Sequence, residues 1–535
     1  MRKIPNWVRK KIQTARRWTG PIIMPRAVQS FRKRELWSYT WLKQIPRKEL
    51  LANIREPKFK FHTKPRDCQL VGFTIGTMVP DFLFFLDMGA GKSKLALDAL
   101  WYRRLVDGLG RILVLSPGEV NVLTWADEIK KHRPEFKYEA LVGTKDERFE
   151  RLLDGGTSAD IYLLTYDGLM SFITKLGGKK DGGREIDHKM AKAFGELFDA
   201  VVLDETHLVG HRGTLRWRMC NAVMKHARVR FGMSGTPFGR DPEMLWSQFN
   251  LIDRGATLGE TLGMFRAAFF KATENEWSGG FNYTFDDRYT ALLHDTLNNR
   301  SIRYEDHEFT DMPAINYIKH RLTFGKDAET YYKQVRDELR AAKGNLQEME
   351  NAFLRMRQVC SGFLTLRGED DEKHRIPFYT NPKLEALEVL LDSLPWDEKV
   401  IVFHEFILSG NSILAMLDRK KIKYARIGGE HSRPAMSLRK FLNNRDCRVF
   451  LVNNHSSATA GINPQSVCRR EVFYDSPISP IVRKQAEKRV HRMGQEKHVY
   501  IHDLVIAGGT DELVLDFIAQ GKSLFDAIIN GEAKV

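Results

Sequence analysis

Apolar residues fall in short unbroken runs along this chain, separated by polar or helically spaced stretches. F-L-F-F-L at 82–86 and L-F-D-A-V-V-L at 197–203 have the density of buried strands. Similar runs at 399–403, 447–452, 470–474 and 498–505 predict strands in the C-terminal third. Elsewhere the spacing turns helical, as in K-L-A-L-D-A-L-W-Y at 94–102 and the amphipathic stretch 326–360, broken at Gly344. Strands alternating with helices predict an α/β protein on mostly parallel sheets. The markers divide the chain into a basic extension at 1–60, a first lobe at 61–250, a helical protrusion or linker region at 251–380 and a second lobe at 381–535.

Three places along this pattern carry candidate chemistry. The run at 82–86 leads into Met88-Gly89-Ala90-Gly91-Lys92-Ser93 and then a helix. Strand, glycine turn, Lys-Ser and helix is the layout of a phosphate-binding loop. Gly89, Ala90 and Gly91 would let backbone N–H groups close around a β-phosphate, with the helix N-terminus adding its partial positive charge. Lys92 would reach the β- and γ-phosphates, and Ser93 would bind Mg²⁺. The full pattern wants glycine six residues before the lysine, where this chain has Leu86. The run at 197–203 ends in Asp204-Glu205-Thr206-His207, two acids at the C-terminal end of a strand, where α/β sheets bind ligands. Asp204 can hold a nucleotide's Mg²⁺ and Glu205 can orient or deprotonate an attacking water. Alone, the same tetrapeptide fits an exposed acidic turn. The third place is Q-A-E-K-R-V-H-R-M-G-Q at 485–495. At helical spacing Gln485, Arg489 and Arg492 share one face, a stripe of one amide and two guanidiniums suited to phosphate. By itself that stripe also fits a solvated basic face.

Taken in order, these segments resemble the superfamily-two helicases and translocases, specifically the Swi/Snf family of DNA-dependent ATPases. P-R-D-C-Q at 65–69 resembles the family's adenine-reading glutamine motif, and M-G-A-G-K-S resembles motif I. V-L-S-P-G-E-V-N-V-L-T-W at 114–125 resembles motif Ia, L-L-T-Y-D-G-L at 163–169 motif Ib, L-D-E-T-H motif II and M-S-G-T-P-F at 233–238 motif III. K-V-I-V-F-H-E-F at 399–406 is similar to motif IV, S-S-A-T-A-G-I-N at 456–463 to motif V, and the arginine stripe to motif VI. M-R-Q-V-C at 356–360 resembles a family helix ahead of the second lobe. The similarity covers roughly residues 60–530, with local departures at Cys68, Thr206 and Ser234. It implies two tandem RecA-like lobes with ATP between them. Arg66, Gln69, Gly461 and Gln485 would join motif I in holding the nucleotide. Lys92, Asp204, Glu205, Arg489 and Arg492 would act in hydrolysis, and His207, Ser234 and Thr236 would couple the ATP and DNA sites. The implied activity is translocation on double-stranded DNA, forked or branched DNA included. A strand-separating DNA or RNA helicase and a non-catalytic nucleic-acid scaffold are the alternatives.

Charge sharpens this picture at one end. Residues 1–60 hold 17 Lys or Arg against three acids, a net of +14 out of +16 for the whole chain. The body is therefore nearly neutral. Trp7, Trp18, Phe31, Trp37, Tyr39 and Trp41 are interleaved with the basic residues. That mixture fits a grip on DNA phosphates, docking on the core or on a protein partner, or an organelle transit peptide. The length of 535 residues predicts about three to four domains. Apolar runs stay under ten residues, short of a membrane span. No secretory signal is visible, so the expected compartment is cytoplasmic or nuclear. Five scattered cysteines, at 68, 220, 360, 447 and 468, show neither disulfide nor zinc spacing.

Overall fold

Each predicted strand run becomes a strand buried on both faces. In the computed structural model, β1 (Asp81–Leu86) alternates Phe82, Phe84 and Leu86 into one core and Leu83 and Phe85 into the other. The same alternation holds in β2 (Ile112–Ser116), β4 (Ile161–Thr165) and β7 (Ala200–Asp204). Helices cover both faces, which is why these strands read as continuous apolar runs rather than alternating ones. The structure describes the chain except residues 1–37, 88, 154–158, 177–183, 236–241, 275–280, 306–307, 309–312, 343–344, 368–372, 429–433, 455–463, 493–494 and 521–535.

The chain divides at residues 310/311 into two units. The first holds a seven-stranded sheet in the order β11-β1-β8-β7-β2-β4-β3, every pair parallel. Its further strands are β3 (Tyr138–Ala140), β8 (Val229–Ser234) and β11 (Ser301–Tyr304). Small hairpins, β5 (Thr174–Leu176) with β6 (Arg184–Ile186) and β9 (Phe270–Glu274) with β10 (Phe281–Phe285), stand apart from it. The second unit holds a six-stranded parallel sheet in the order β12-β19-β18-β15-β17-β16. Its strands are β12 (Ile315–Leu322), β15 (Val400–His404), β16 (Tyr424–Ile427), β17 (Val449–Asn453), β18 (Arg470–Phe473) and β19 (Val499–Ile506). A hairpin of β13 (Phe363–Arg367) and β14 (Lys373–Pro377) accompanies it. The α/β architecture of two parallel-sheet lobes is thus as expected, and no described helix is long and apolar enough to cross a membrane.

The region read as 251–380 is shared between the units. β11 joins the first sheet beside β1, and β12 joins the second beside β19. The helices Lys326–Ala341 and Leu346–Cys360, expected from the periodicity, pack on each other and on Thr510–Ala519 in the second unit. Residues 1–37 lie outside the described residues, but from Tyr39 onward the chain docks on the first unit's core. Tyr39, Leu42, Ile45, Leu50 and Phe59 are buried there, with the Tyr39 ring edge-on to Phe82 at 5.6 Å. Lys43 pairs with Glu308 at 2.6 Å and Arg47 with Asp67 at 2.7 Å.

One contact in the second sheet sets a pH dependence. His320 of β12 and His502 of β19 stack, with Nε2 of His320 3.0 Å from Nδ1 of His502. Nη1 of Arg470 lies 3.2 Å from the other nitrogen of His502. Arginine only donates, so neutral His502 keeps its proton on Nδ1 and donates it to His320. Burial, then His320 and Arg470, push the His502 imidazole from 6.5 down to about 4, against the pull of Asp503. The unfolded chain therefore takes up a proton below about pH 6.5 that the folded chain refuses until about pH 4. Stability should fall as pH drops through this window. Thermal melting between those pH values is expected to show the fall, and His502→Asn should flatten it.

Candidate functional site

Parallel strands end on one edge, so the loops after β1, β8 and β7 are neighbours in the first unit. Those loops carry the phosphate-binding motif, Ser234 and the Asp204-Glu205 pair. After β1 the chain passes Asp87 and turns through Gly89 and Gly91, whose φ angles of 83° and 77° are left-handed. Side chains are disfavoured there. A Cβ on Gly91 would also stand 2.1 Å from Nε2 of Gln69. Helix Lys92–Asp107 starts at once, leaving the first-turn N–H groups of Lys92 and Ser93 without helical partners. The Lys92 ammonium donates to the Leu86 carbonyl at 3.0 Å, folding back along the loop.

The loop is braced from behind by the helix Asp67–Met78. Gln69 donates to the carbonyls of Ala90 at 3.0 Å and Gly91 at 3.4 Å, and Arg66 donates to that of Gly89 at 3.1 Å. The Gln69 carbonyl accepts from the Arg66 backbone N–H at 2.9 Å, closing the helix start. Both residues of the glutamine motif thus lie on the loop's backbone in this structure.

Asp204 ends β7 and Glu205 follows in a left-handed turn with φ of 54°, a costly conformation for a residue with a side chain. Asp204 accepts from the Trp125 indole at 3.0 Å, and its main-chain carbonyl accepts from the Tyr166 hydroxyl at 2.8 Å. Burial, then the neighbouring Glu205, raise the Asp204 carboxyl to about 6, while Trp125 and Lys92 act the other way. Glu205 Oε2 lies 3.3 Å from Nδ1 of His207 and 3.4 Å from the Ser234 hydroxyl, and those two groups are 3.1 Å apart. Motifs II and III are therefore joined by a direct polar contact. Thr206, a departure from the family pattern, is fully buried and donates to Gln248 at 2.7 Å, which explains how its hydroxyl is tolerated. Thr236 and Gly461 lie outside the described residues.

In the second unit the arginine stripe differs from expectation. The helix Pro480–Glu487, capped by Ser479, carries Gln485 but stops before Arg489 and Arg492. The chain then runs in short turns, with Arg489 N–H bonded to Ala486 at 2.9 Å and Gln495 N–H to Arg492 at 3.0 Å. Tertiary contacts override helical spacing here: Val490 is fully buried, the His491 ring bonds the Pro313 carbonyl at 2.9 Å, and Gln495 reaches the carbonyl of Cys468 at 2.9 Å. Arg489 is buried and Arg492 half-buried.

Periodicity gave no hint of what holds this segment. Arg483, 3 % exposed, makes a two-pronged pair with Asp503 at 2.6 and 3.0 Å and also binds Glu487 at 2.7 Å. Its guanidinium lies 3.5 Å from the Phe473 ring centroid. Glu471 is fully buried alongside; burial first and Glu487 second hold its carboxyl well above the usual range, against Arg483 and Arg489.

A model of the SNF2-related domain matches residues 41–370. The chain belongs to the SNF2-related family. A Xenopus tropicalis protein, SWI/SNF-related matrix-associated actin-dependent regulator of chromatin subfamily A-like protein 1, is 24% identical over 450 residues, covering 81% of this chain and 41% of the relative. The ISWI chromatin-remodeling complex ATPase ISW1 of Saccharomyces cerevisiae is 23% identical over 475 residues, covering 83% and 38%. This SNF2-related chain thus spans about two fifths of the length of these relatives. Among solved structures, the Sulfolobus solfataricus SWI2/SNF2 ATPase core in complex with dsDNA aligns over 89% of this chain and 95% of its own, at 18% identity and a TM-score of 0.39.

Removing one partner of the Arg483–Asp503 pair strands a buried charge. Arg483→Met should destabilise the second unit by about 3–5 kcal/mol in urea unfolding, and the double variant Arg483→Met with Asp503→Leu should recover much of the loss.

Proposed function

We propose that this chain hydrolyses ATP and couples hydrolysis to movement along double-stranded DNA. The observation that carries the reading is the meeting, on one sheet edge, of a glycine loop bearing Lys92 with the half-buried Asp204 and the buried Glu205. Phosphoryl transfer needs positioning and charge neutralisation more than covalent help. First-turn amides and Lys92 would receive the phosphates, and Glu205, set by its left-handed turn and by His207 and Ser234, would orient the attacking water. Arg489 and Arg492 of the second unit would neutralise the γ-phosphate. Arg66 and Gln69 would shape the loop and face the adenine, and Gln485 and Gly461 would complete the nucleotide's contacts.

The residues present fit a hard divalent cation. Two carboxylates crowded in a buried place, with Asp204 pushed to about 6, are a donor set that such an ion stabilises. Mg²⁺, held by Asp204 and the Ser93 hydroxyl, would supply charge neutralisation between the β- and γ-phosphates. Family membership supports the ATPase reading, and relatives named as ATP-dependent DNA helicases and remodelling ATPases agree with it. The Xenopus relative's chromatin setting is consistent with a DNA track.

Phosphate release should rise sharply with duplex DNA in a panel of duplex, forked and single-stranded DNA and RNA. Lys92→Ala and Glu205→Gln should each abolish turnover, and normal turnover in either rules out the site assignment. Stimulation by RNA or single strands in place of duplex redirects the reading to a strand-separating helicase. Arg492→Ala should cost about 10³-fold or more in rate, in the range of a lost arginine finger, and should exceed Arg489→Ala.

A further inference from the structure

Trp125 lies outside the set of residues given a role above, yet it makes the most specific contact to Asp204. It sits on the helix Glu119–His132, is 1 % exposed and is among the largest fully buried side chains. A buried indole N–H needs a partner, and a main-chain carbonyl usually supplies it. Here the partner is a carboxylate oxygen 79 residues away, Oδ2 of Asp204, at 3.0 Å. A hydrogen bond to an ionised acceptor is roughly twice as strong as a neutral one. Rotation about the last bond of an aspartate is otherwise broad. The indole therefore fixes the plane of the carboxylate. Tyr166 fixes the backbone beneath it through the bond to the Asp204 carbonyl at 2.8 Å. The two aromatic groups come from the loops and helices after β2 and β4, so the carboxylate is aimed from the far side of the sheet edge.

We propose that Trp125 is a positioning residue that orients the Asp204 carboxylate toward the nucleotide's divalent cation. This rests on the reading of Asp204 as the cation-holding group. The choice of tryptophan has a consequence: a neutral donor orients the carboxylate without cancelling its charge. A lysine or arginine in the same place would compete with the cation.

The test uses the full chain with ADP, and Mn²⁺ as the probe metal followed by electron paramagnetic resonance. Trp125→Phe should weaken Mn²⁺ binding by about tenfold or more, the range for losing an outer partner of a metal-holding carboxylate. Trp125→His leaves a comparable gap in the core but restores a ring N–H, and should bind Mn²⁺ more tightly than Trp125→Phe. Melting temperature, read in parallel, should fall by similar amounts in both. Asp204→Asn is the control and should lose Mn²⁺ binding. Equal Mn²⁺ affinity in Trp125→Phe and wild type, or equal loss in the Phe and His variants, overturns the role of Trp125 alone. Wild-type affinity in Asp204→Asn overturns the reading of the site, and the inference with it.

Discussion

Two carboxylates side by side at the end of a buried strand are the constraint around which the first unit is built. Partial burial first and the neighbouring Glu205 second raise the Asp204 carboxyl to about 6. The Trp125 indole and the charge of Lys92 offset this, while the Tyr166 hydroxyl holds the Asp204 main-chain carbonyl and Ser234 lies beside Glu205. A left-handed turn at Glu205, unusual for a residue with a Cβ, separates the two side chains. A dication and phosphates would offset that crowding, which is the physical sense in which the geometry suits the proposed nucleotide chemistry.

The glycine loop answers the opposite problem. It must present N–H donors to an anion while its carbonyls point away, and those carbonyls need partners. Gln69 and Arg66 supply them from the helix Asp67–Met78. A glutamine and an arginine that resemble an adenine-reading motif therefore also act as a scaffold for the loop. One consequence is that the start of the helix Asp67–Met78 and the glycine loop are mechanically joined.

Much of this was legible from the chain because it is local. Strand runs buried on both faces, the glycine turn and the acid pair are contiguous, and the strands near 400, 450, 470 and 500 fall within about two residues of expectation. What was hidden is long-range or overridden. Periodicity contains no term for the Trp125–Asp204 bond or the Arg483–Asp503 pair, whose members lie 79 and 20 residues apart. It extended the Gln485 helix through Arg492, whereas burial of Val490 and the His491 bond to Pro313 end it at Glu487. β12 lies at the sheet edge, reads I-N-Y-I-K-H-R-L and has no fully buried residue, so it did not read as a core strand. Net charge likewise masked five apolar residues between 39 and 59 that belong to the first unit's core.

The second unit solves its packing differently. Its strand ends are tied by buried ions: Arg357 with Glu405, Lys383 with Asp511 at 2.8 Å, and Asn454 bridging Glu405 and the Asp475 carbonyl at 2.8 and 2.9 Å. Buried pairs contribute little net stability over apolar packing but are costly to break. Their effect is geometric: Asn454 links the ends of β15, β17 and β18 through Glu405 and Asp475, and Lys383–Asp511 joins two covering helices. In the first unit the Trp125 indole is a neutral donor to the Asp204 carboxylate, and Lys92 adds positive charge nearby. In the second unit Arg483 engages the carboxylates of Asp503 and Glu487, just ahead of the turns that carry Arg489 and Arg492.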